Sequence, residues 1–300
     1  MKFVEQPDEF EEICTVSLTY CGGTDATNSY IDLYDLSTAL NGFHRSLAIT
    51  GHYLFNDEII TRAPNAKGVR IITSPPVEGS FGIVATILGV ATIIGLAPRD
   101  TPVGHAFGSL YAQIIFKCTG KQLDYSRFLG QDKIDQVEIE TSKLESLAQK
   151  VETSVKNIHR PIMTQSALTS NIVVDEQPPI TFDSQTLDLT NKLIIDTNPT
   201  QFTGRVAGYS ANTRSGMIYS WEEKRAIPFE LERGIDIDSS VLSKSLGLYD
   251  TVKSKHRKGA KSGFFKFLAK KVTNQAGATR KYYITHIYSD SLIQIPSELT

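Results

Sequence analysis

The sequence predicts an α+β protein in two parts: an N-terminal mixed sheet with helices, then a small C-terminal β-barrel of OB or SH3-like type. Three observations predict this. Helical periodicities and strand patterns mix up to about residue 200, and only short strands with one short helix follow. Between them, Asp196-Thr197-Asn198-Pro199-Thr200 collects turn formers and a proline, the best boundary signal in the chain. Charge is also segregated. From Thr251 to Ser289 there are ten Lys/Arg and no Asp or Glu. The whole chain has 31 basic and 33 acidic residues, which leaves 21 basic against 33 acidic elsewhere.

The elements follow in order. Glu12 to Tyr20 alternates like a strand, and Cys21-Gly22-Gly23-Thr24-Asp25 is turn chemistry. Asn28 or Ser29 is the expected cap of a helix whose face would hold Leu33, Leu36, Leu40, Phe43 and Leu47. Gly42 falls inside that helix and weakens it. Val69 to Ser74 reads as a strand and Pro75 to Gly79 as a turn.

Phe81 to Ala97 is then free of charge, and Val103, Phe107, Leu110, Tyr111, Ile114 and Ile115 form a second helical face. A membrane span needs about 20 apolar residues. The β-branched start, Ile83, Val84, Thr86 and Ile87, favours a central strand passing into a buried helix. A membrane-inserting hairpin and an oligomer interface are the alternatives for this apolar segment, 81–117.

A long amphipathic helix is expected over 132–160, with Leu144, Leu147, Val151, Val155 and Ile158 inward and a stop near Pro161. Ile180 to Phe182 reads as a short strand, while Asp188 to Ile195 is ambiguous. Past the boundary, Gly204 to Ser210, Gly216 to Trp221 and Ala226 to Leu231 read as strands. A short helix from Asp238-Ser239-Ser240 through Leu248 precedes a hairpin of Phe264 to Val272 and Arg280 to Tyr288. The parts are 1–200 and 201–300, with the basic stretch 251–289 in the second.

Composition is ordinary for a globular protein, at 40% hydrophobic and 21% charged. Three unevenly spaced cysteines, Cys14, Cys21 and Cys118, form no disulfide framework and no Cys-x-x-Cys. Met1 to Glu12 holds five acidic residues and no apolar core, unlike a signal peptide. A cytoplasmic protein is expected.

The chain resembles a group of bacterial two-part proteins made of paired domains of unknown function. The residues that carry this are Tyr20-Cys21-Gly22-Gly23, Glu78-Gly79-Ser80-Phe81, Asp124-Tyr125, Gly204-Arg205-Val206 and Arg225-Ala226-Ile227-Pro228-Phe229. The resemblance implies a two-part accessory protein, with phage defence as a setting. It implies no activity, ligand or catalytic residue.

Catalytic motifs are absent. Gly120-Lys121 is followed by Gln122, and the glycine a phosphate-binding loop needs earlier is Ile115. Gly208-Tyr209-Ser210-Ala211 ends on Asn212, not the glycine of a nucleophile elbow. None of the six histidines is spaced for zinc on a helix, and His44 reads as a structural or surface residue. Asp238 reads as a helix cap rather than a metal ligand. No cofactor or metal is expected.

The basic stretch remains. Lys255, Arg257, Lys258, Lys261, Lys266, Lys270 and Lys271 are the candidate polyanion-binding residues, interleaved with Phe264, Phe265 and Phe267. Cations can neutralise phosphates while aromatic faces stack on bases. The competing reading is a solvated loop beside strands whose aromatics fill the barrel. The expectation is a non-enzymatic binding or adaptor protein docking on nucleic acid or another polyanion. The other classes are a membrane-acting effector inserting 81–117 and an enzyme of unrecognised type. Protein partners and self-assembly stay open.

Overall fold

The computed structural model describes residues 10–23, 30–60, 62–73, 81–90, 103–120, 139–234, 240–254, 263–275 and 277–288. The chain divides into two compact units, 1–192 and 193–300. The protein is α+β.

In the first unit, β1 (Phe10–Cys21) lies at the centre of a five-stranded sheet. The order is β2 (Val69–Thr73), β3 (Phe81–Val90), β1, β4 (Thr169–Val174), β5 (Ile180–Phe182). All four pairings are antiparallel, and the one parallel pair among the described residues falls in the barrel instead. The alternation read in β1 is real. Cys14, Val16, Leu18 and Tyr20 are buried, and the residues between them are half-buried. The charge-free run begins as β3, beside β1, with Ala85 and Ile87 inside. Its continuation, 91–97, lies outside the described residues. No described helix is long and apolar enough to cross a membrane.

Among the described residues of this unit five α-helices pack: α1 (Leu33–Asn56), α2 (Val103–Thr119), α3 (Thr141–Ile158), α4 (Arg160–Met163) and α5 (Ser184–Asn191). The cap of α1 is Asp32, whose side chain accepts from the amides of Tyr34 and Asp35. Asn28 and Ser29 lie outside the described residues. The expected row of α1 is borne out in part: Phe43 and Leu47 are buried, and Leu36 and Leu40 are half-buried. Leu33 is 78% exposed, whereas Asp35, Ala39, Gly42, Phe43, Ser46, Leu47 and Thr50 are buried. The reason is close packing. A Cβ on Gly42 would stand 2.5 Å from the carbonyl oxygen of Ser154 on α3. Small residues let the two backbones approach, and the buried stripe includes them.

Helix α2 is apolar nearly all round and touches α1, α3, α5 and β1, as a central helix must. Leu147, Val151, Val155 and Ile158 of α3 are buried as their spacing predicts. The helix ends at Ile158, and His159 makes a break before Pro161 in α4. The expected helix over 132–160 is therefore seen from Thr141; 132–138 lie outside the described residues. Strand β4 carried no sequence reading, and α5 starts from a capping box of Asp183 and Thr186.

An ion pair between buried Asp35 and half-exposed Arg160 ties α1 to α4. Asp35 accepts from Arg160 Nε at 2.8 Å and from the Thr164 hydroxyl at 2.6 Å. Burial pushes the Asp35 carboxyl up, but Thr164 and Arg160 more than offset this and hold it below its ordinary 3.8. A carboxyl depressed on folding contributes stability above its unfolded value and loses it as the pH falls through the folded one. Thermal melts in steps from neutral pH to below 3.8 should therefore show a steeper acid-side loss for the native chain than for Asp35→Asn. Equal slopes would assign the pair no role.

In the second unit, β7 (Thr200–Ser210), β8 (Ser215–Ser220), β9 (Arg225–Leu231), β10 (Phe265–Asn274) and β11 (Thr279–Ile287) form a closed barrel. Helix α6 (Ser240–Ser254) falls between β9 and β10. Strands β7, β8 and β9 form a meander. Strand β9 then pairs with β11 in parallel, and β10 closes the barrel between β11 and β7. First-second-third-fifth-fourth-first, with a helix after the third strand, is the OB topology. An SH3-like meander would have no such parallel pair. A three-residue strand, β6 (Leu193–Ile195), extends the sheet along β10. Val206, Ile218, Ile227, Phe229, Phe265, Phe267, Tyr282 and Ile284 fill the interior, and Val241 and Leu242 of α6 join them.

Candidate functional site on the outer face of the barrel

The sequence offers two kinds of side chain for polyanion binding, and the barrel sorts them by strand alternation. Phe265 and Phe267 point inward and are fully buried, with Phe267 edge-on to Tyr282 at 5.6 Å. These aromatics are core. Phe264 lies outside the interior cluster, on the other side of β10, but it is also buried, at 3% exposed, under neighbours that were not singled out from sequence as binding residues. Trp221 meets its ring edge-on at 5.7 Å, and Tyr219 does so at 6.2 Å. The Arg205 guanidinium lies 5.1 Å from the Phe264 ring centre and 6.0 Å from that of Tyr219.

This cluster has a backbone cause. Arg205 of β7 and Tyr219 of β8 are register partners, so both project from the same outer face. The Trp221 amide donates to the Thr203 carbonyl at 2.9 Å, which fixes the chain just past β8. Gly263 brings the start of β10 alongside. Its φ is +84°, and a Cβ there would stand 3.2 Å from the Ser245 carbonyl oxygen and from Leu248. The Ser245 hydroxyl donates to the Gly263 carbonyl at 2.6 Å and accepts from the Val206 amide at 3.0 Å. Helix α6, β7 and the entry to β10 are thus locked at one corner.

The seven candidate cations divide into three groups. Lys266 is exposed and follows Phe264 by two residues, so alternation places it on the same outer face. Lys270 and Lys271 carry partners: Glu232 at 2.7 Å and Glu223 at 2.9 Å. Lys281 likewise pairs with Glu230. Burial raises the Glu223 carboxyl, but Thr279, Lys271 and Arg225 outweigh it and hold the group below its ordinary value. Lys281 in turn lowers Glu230. Half-exposed pairs are each worth only about 0–1 kcal/mol, so phosphate could displace them, but with little net gain. Lys255, Arg257, Lys258 and Lys261 lie outside the described residues. The chain enters the locked corner two residues after Lys261.

Other chemistry is sparse. Among the described residues no group of three His, Cys, Asp or Glu could hold a metal ion. His44 is exposed. His159 is buried, 2.7 Å from the Val155 carbonyl and 2.9 Å from the Thr186 hydroxyl. Asp238 lies outside the described residues.

Residues 16–191 match the model for a domain of unknown function, DUF7946, and residues 198–288 match a family of unknown function, DUF7947. The first match covers more than half of the chain. The chain belongs to the DUF7946 family. Its DUF7946 part spans the sheet and helices of the first unit, and its DUF7947 part is the barrel with the aromatic corner. No curated protein and no solved structure matches the chain. The site therefore stands on its own geometry. Sequence reasoning missed Arg205, Tyr219 and Trp221 because they lie outside the basic stretch. The signal that could have found Trp221 is that it is the one tryptophan in the chain.

Proposed function

We propose that the protein is a non-catalytic binding protein whose barrel holds single-stranded nucleic acid. Tyr219 and Trp221 offer stacking faces, and Arg205, Lys266 and the basic residues of 251–289 neutralise phosphates. The observation that carries this is the Arg205–Tyr219–Trp221–Phe264 corner on an OB-type barrel, directly where the acid-free segment enters β10. OB barrels bind strands on outer faces of this kind, with aromatics under the bases and cations along the backbone. A membrane-acting role has less support, since Ala85 and Ile87 of the apolar run sit in the sheet core.

The test is binding of labelled oligonucleotides, followed by anisotropy and by Trp221 fluorescence. Log affinity should fall with log salt by about 0.7 for each phosphate contacted. Tyr219→Ala and Trp221→Ala should each weaken binding about tenfold, as expected where a base loses a stacking partner worth about 1–3 kcal/mol. Lys266→Glu should flatten the salt slope. No salt-sensitive binding at low salt would overturn the reading. The proposed setting is the cytoplasm of a bacterium under phage attack, which the paired-domain resemblance motivates. Equal phage plaquing with and without the expressed chain would remove that setting and leave the binding proposal standing.

A further inference from the structure

The three residues of β6 are all open to solvent. Leu193, Ile194 and Ile195 are 47%, 47% and 53% exposed. One edge of the strand pairs with β10, setting Leu193 opposite Asn274 and Ile195 opposite Val272. The strand is last in the sheet order, and its other edge meets no strand among the described residues. An apolar edge invites pairing; natural sheets blunt one by keeping it very short, as β6 is, or with an internal charge, a proline or a bulge. Leu-Ile-Ile has none of the last three. Its charges stand just outside, at Lys192 and Asp196, with Lys192 exposed and Asp196 half-buried.

The segment Lys192-Leu193-Ile194-Ile195-Asp196 is self-complementary when reversed about its centre. Two copies laid antiparallel set Ile194 against Ile194 and Leu193 against Ile195. The same register sets each Lys192 against the other copy's Asp196. Opposite charges and large apolar residues directly across a ladder are the favourable cross-strand pairs. A two-fold axis through Ile194 makes the surface isologous, the commonest way identical chains associate.

We propose that the free edge of β6 docks a second copy of this chain, antiparallel and centred on Ile194. The edge is short, so the dimer belongs with small, transient interfaces rather than obligate ones. It draws on none of the residues proposed to bind nucleic acid, and the two readings fail separately.

Sedimentation velocity of the full chain, from about 5 to 500 µM, spans the range in which a weak dimer of this size populates. The native chain should shift from monomer toward dimer as concentration rises. Lys192→Asp and Asp196→Lys each place two like-charge pairs across the axis and should remove the dimer. The combination Lys192→Asp/Asp196→Lys restores opposite charges in the same register and should recover association to within about threefold of the native chain. Circular dichroism checks that all three variants keep the native fold. A chain that is monomeric throughout overturns the proposal. So do single variants that dimerise like the native chain, or folded double variants that stay monomeric.

Discussion

Ile87→Asp is expected to unfold the N-terminal unit. Ile87 has no exposed surface and sits on β3 in register with Cys14 of β1 and Ile71 of β2. Losing the burial of an isoleucine costs about 1.5–3 kcal/mol. The carboxyl that replaces it must be buried without a partner or protonated, which adds a cost of about the same size. Together these approach the whole stability of a domain, about 5–15 kcal/mol. Helical circular dichroism should collapse, because the five helices α1 to α5 belong to this unit. Trp221 lies in the barrel, which has a hydrophobic core of its own, so its emission reports the second unit separately. An unchanged melting temperature and helix signal would show Ile87 to be outside the core and would reopen the membrane or partner reading of the apolar segment.

Gly42 gives a second large effect, and there two principles point in opposite directions. By helix propensity alone, Gly42→Ala should stabilise α1 by about 1 kcal/mol. At the crossing with α3, the new Cβ would stand 2.5 Å from the Ser154 carbonyl oxygen and 2.7 Å from the Asn157 Cβ. The Ser154 oxygen is backbone and moves only if the helix moves. Overpacking of this kind costs about 1–3 kcal/mol, sometimes more. Packing should win, so Gly42→Ala should lower the melting temperature by a few degrees. Gly42→Leu should lower it further by forcing the helices apart. A higher melting temperature for Gly42→Ala would show that propensity decides at this position.

The candidate site was legible in the sequence only as charge. A run of ten cations without an acid needs no structure to be seen, because charge adds along a chain. Whether each cation is available is a matter of neighbours. Lys270 and Lys271 meet Glu232 and Glu223, residues from across the barrel, and no local pattern foretells that. The same holds for Phe264, Phe265 and Phe267. All three are buried, but Phe265 and Phe267 belong to the barrel interior while Phe264 packs against Tyr219 and Trp221 outside it, a division that follows from how the barrel closes. Arg205 and Trp221 lie more than forty residues before Phe264 and join it only when the barrel closes.

By itself the sequence determined the α+β class, the alternation of β1, the strands β8 and β9 and the inner face of α3. These depend on periodicity and on glycine, proline and capping chemistry within a few residues, which local physics sets. Tertiary structure decided the rest. It added the small residues of α1 to the buried face that Phe43 and Leu47 already marked, because a helix crossing depends on how closely two backbones approach. It chose OB over SH3-like by joining β9 to β11 in parallel. It made one corner of the barrel from four distant residues, because side chains gain neighbours only through contacts that the linear order does not contain.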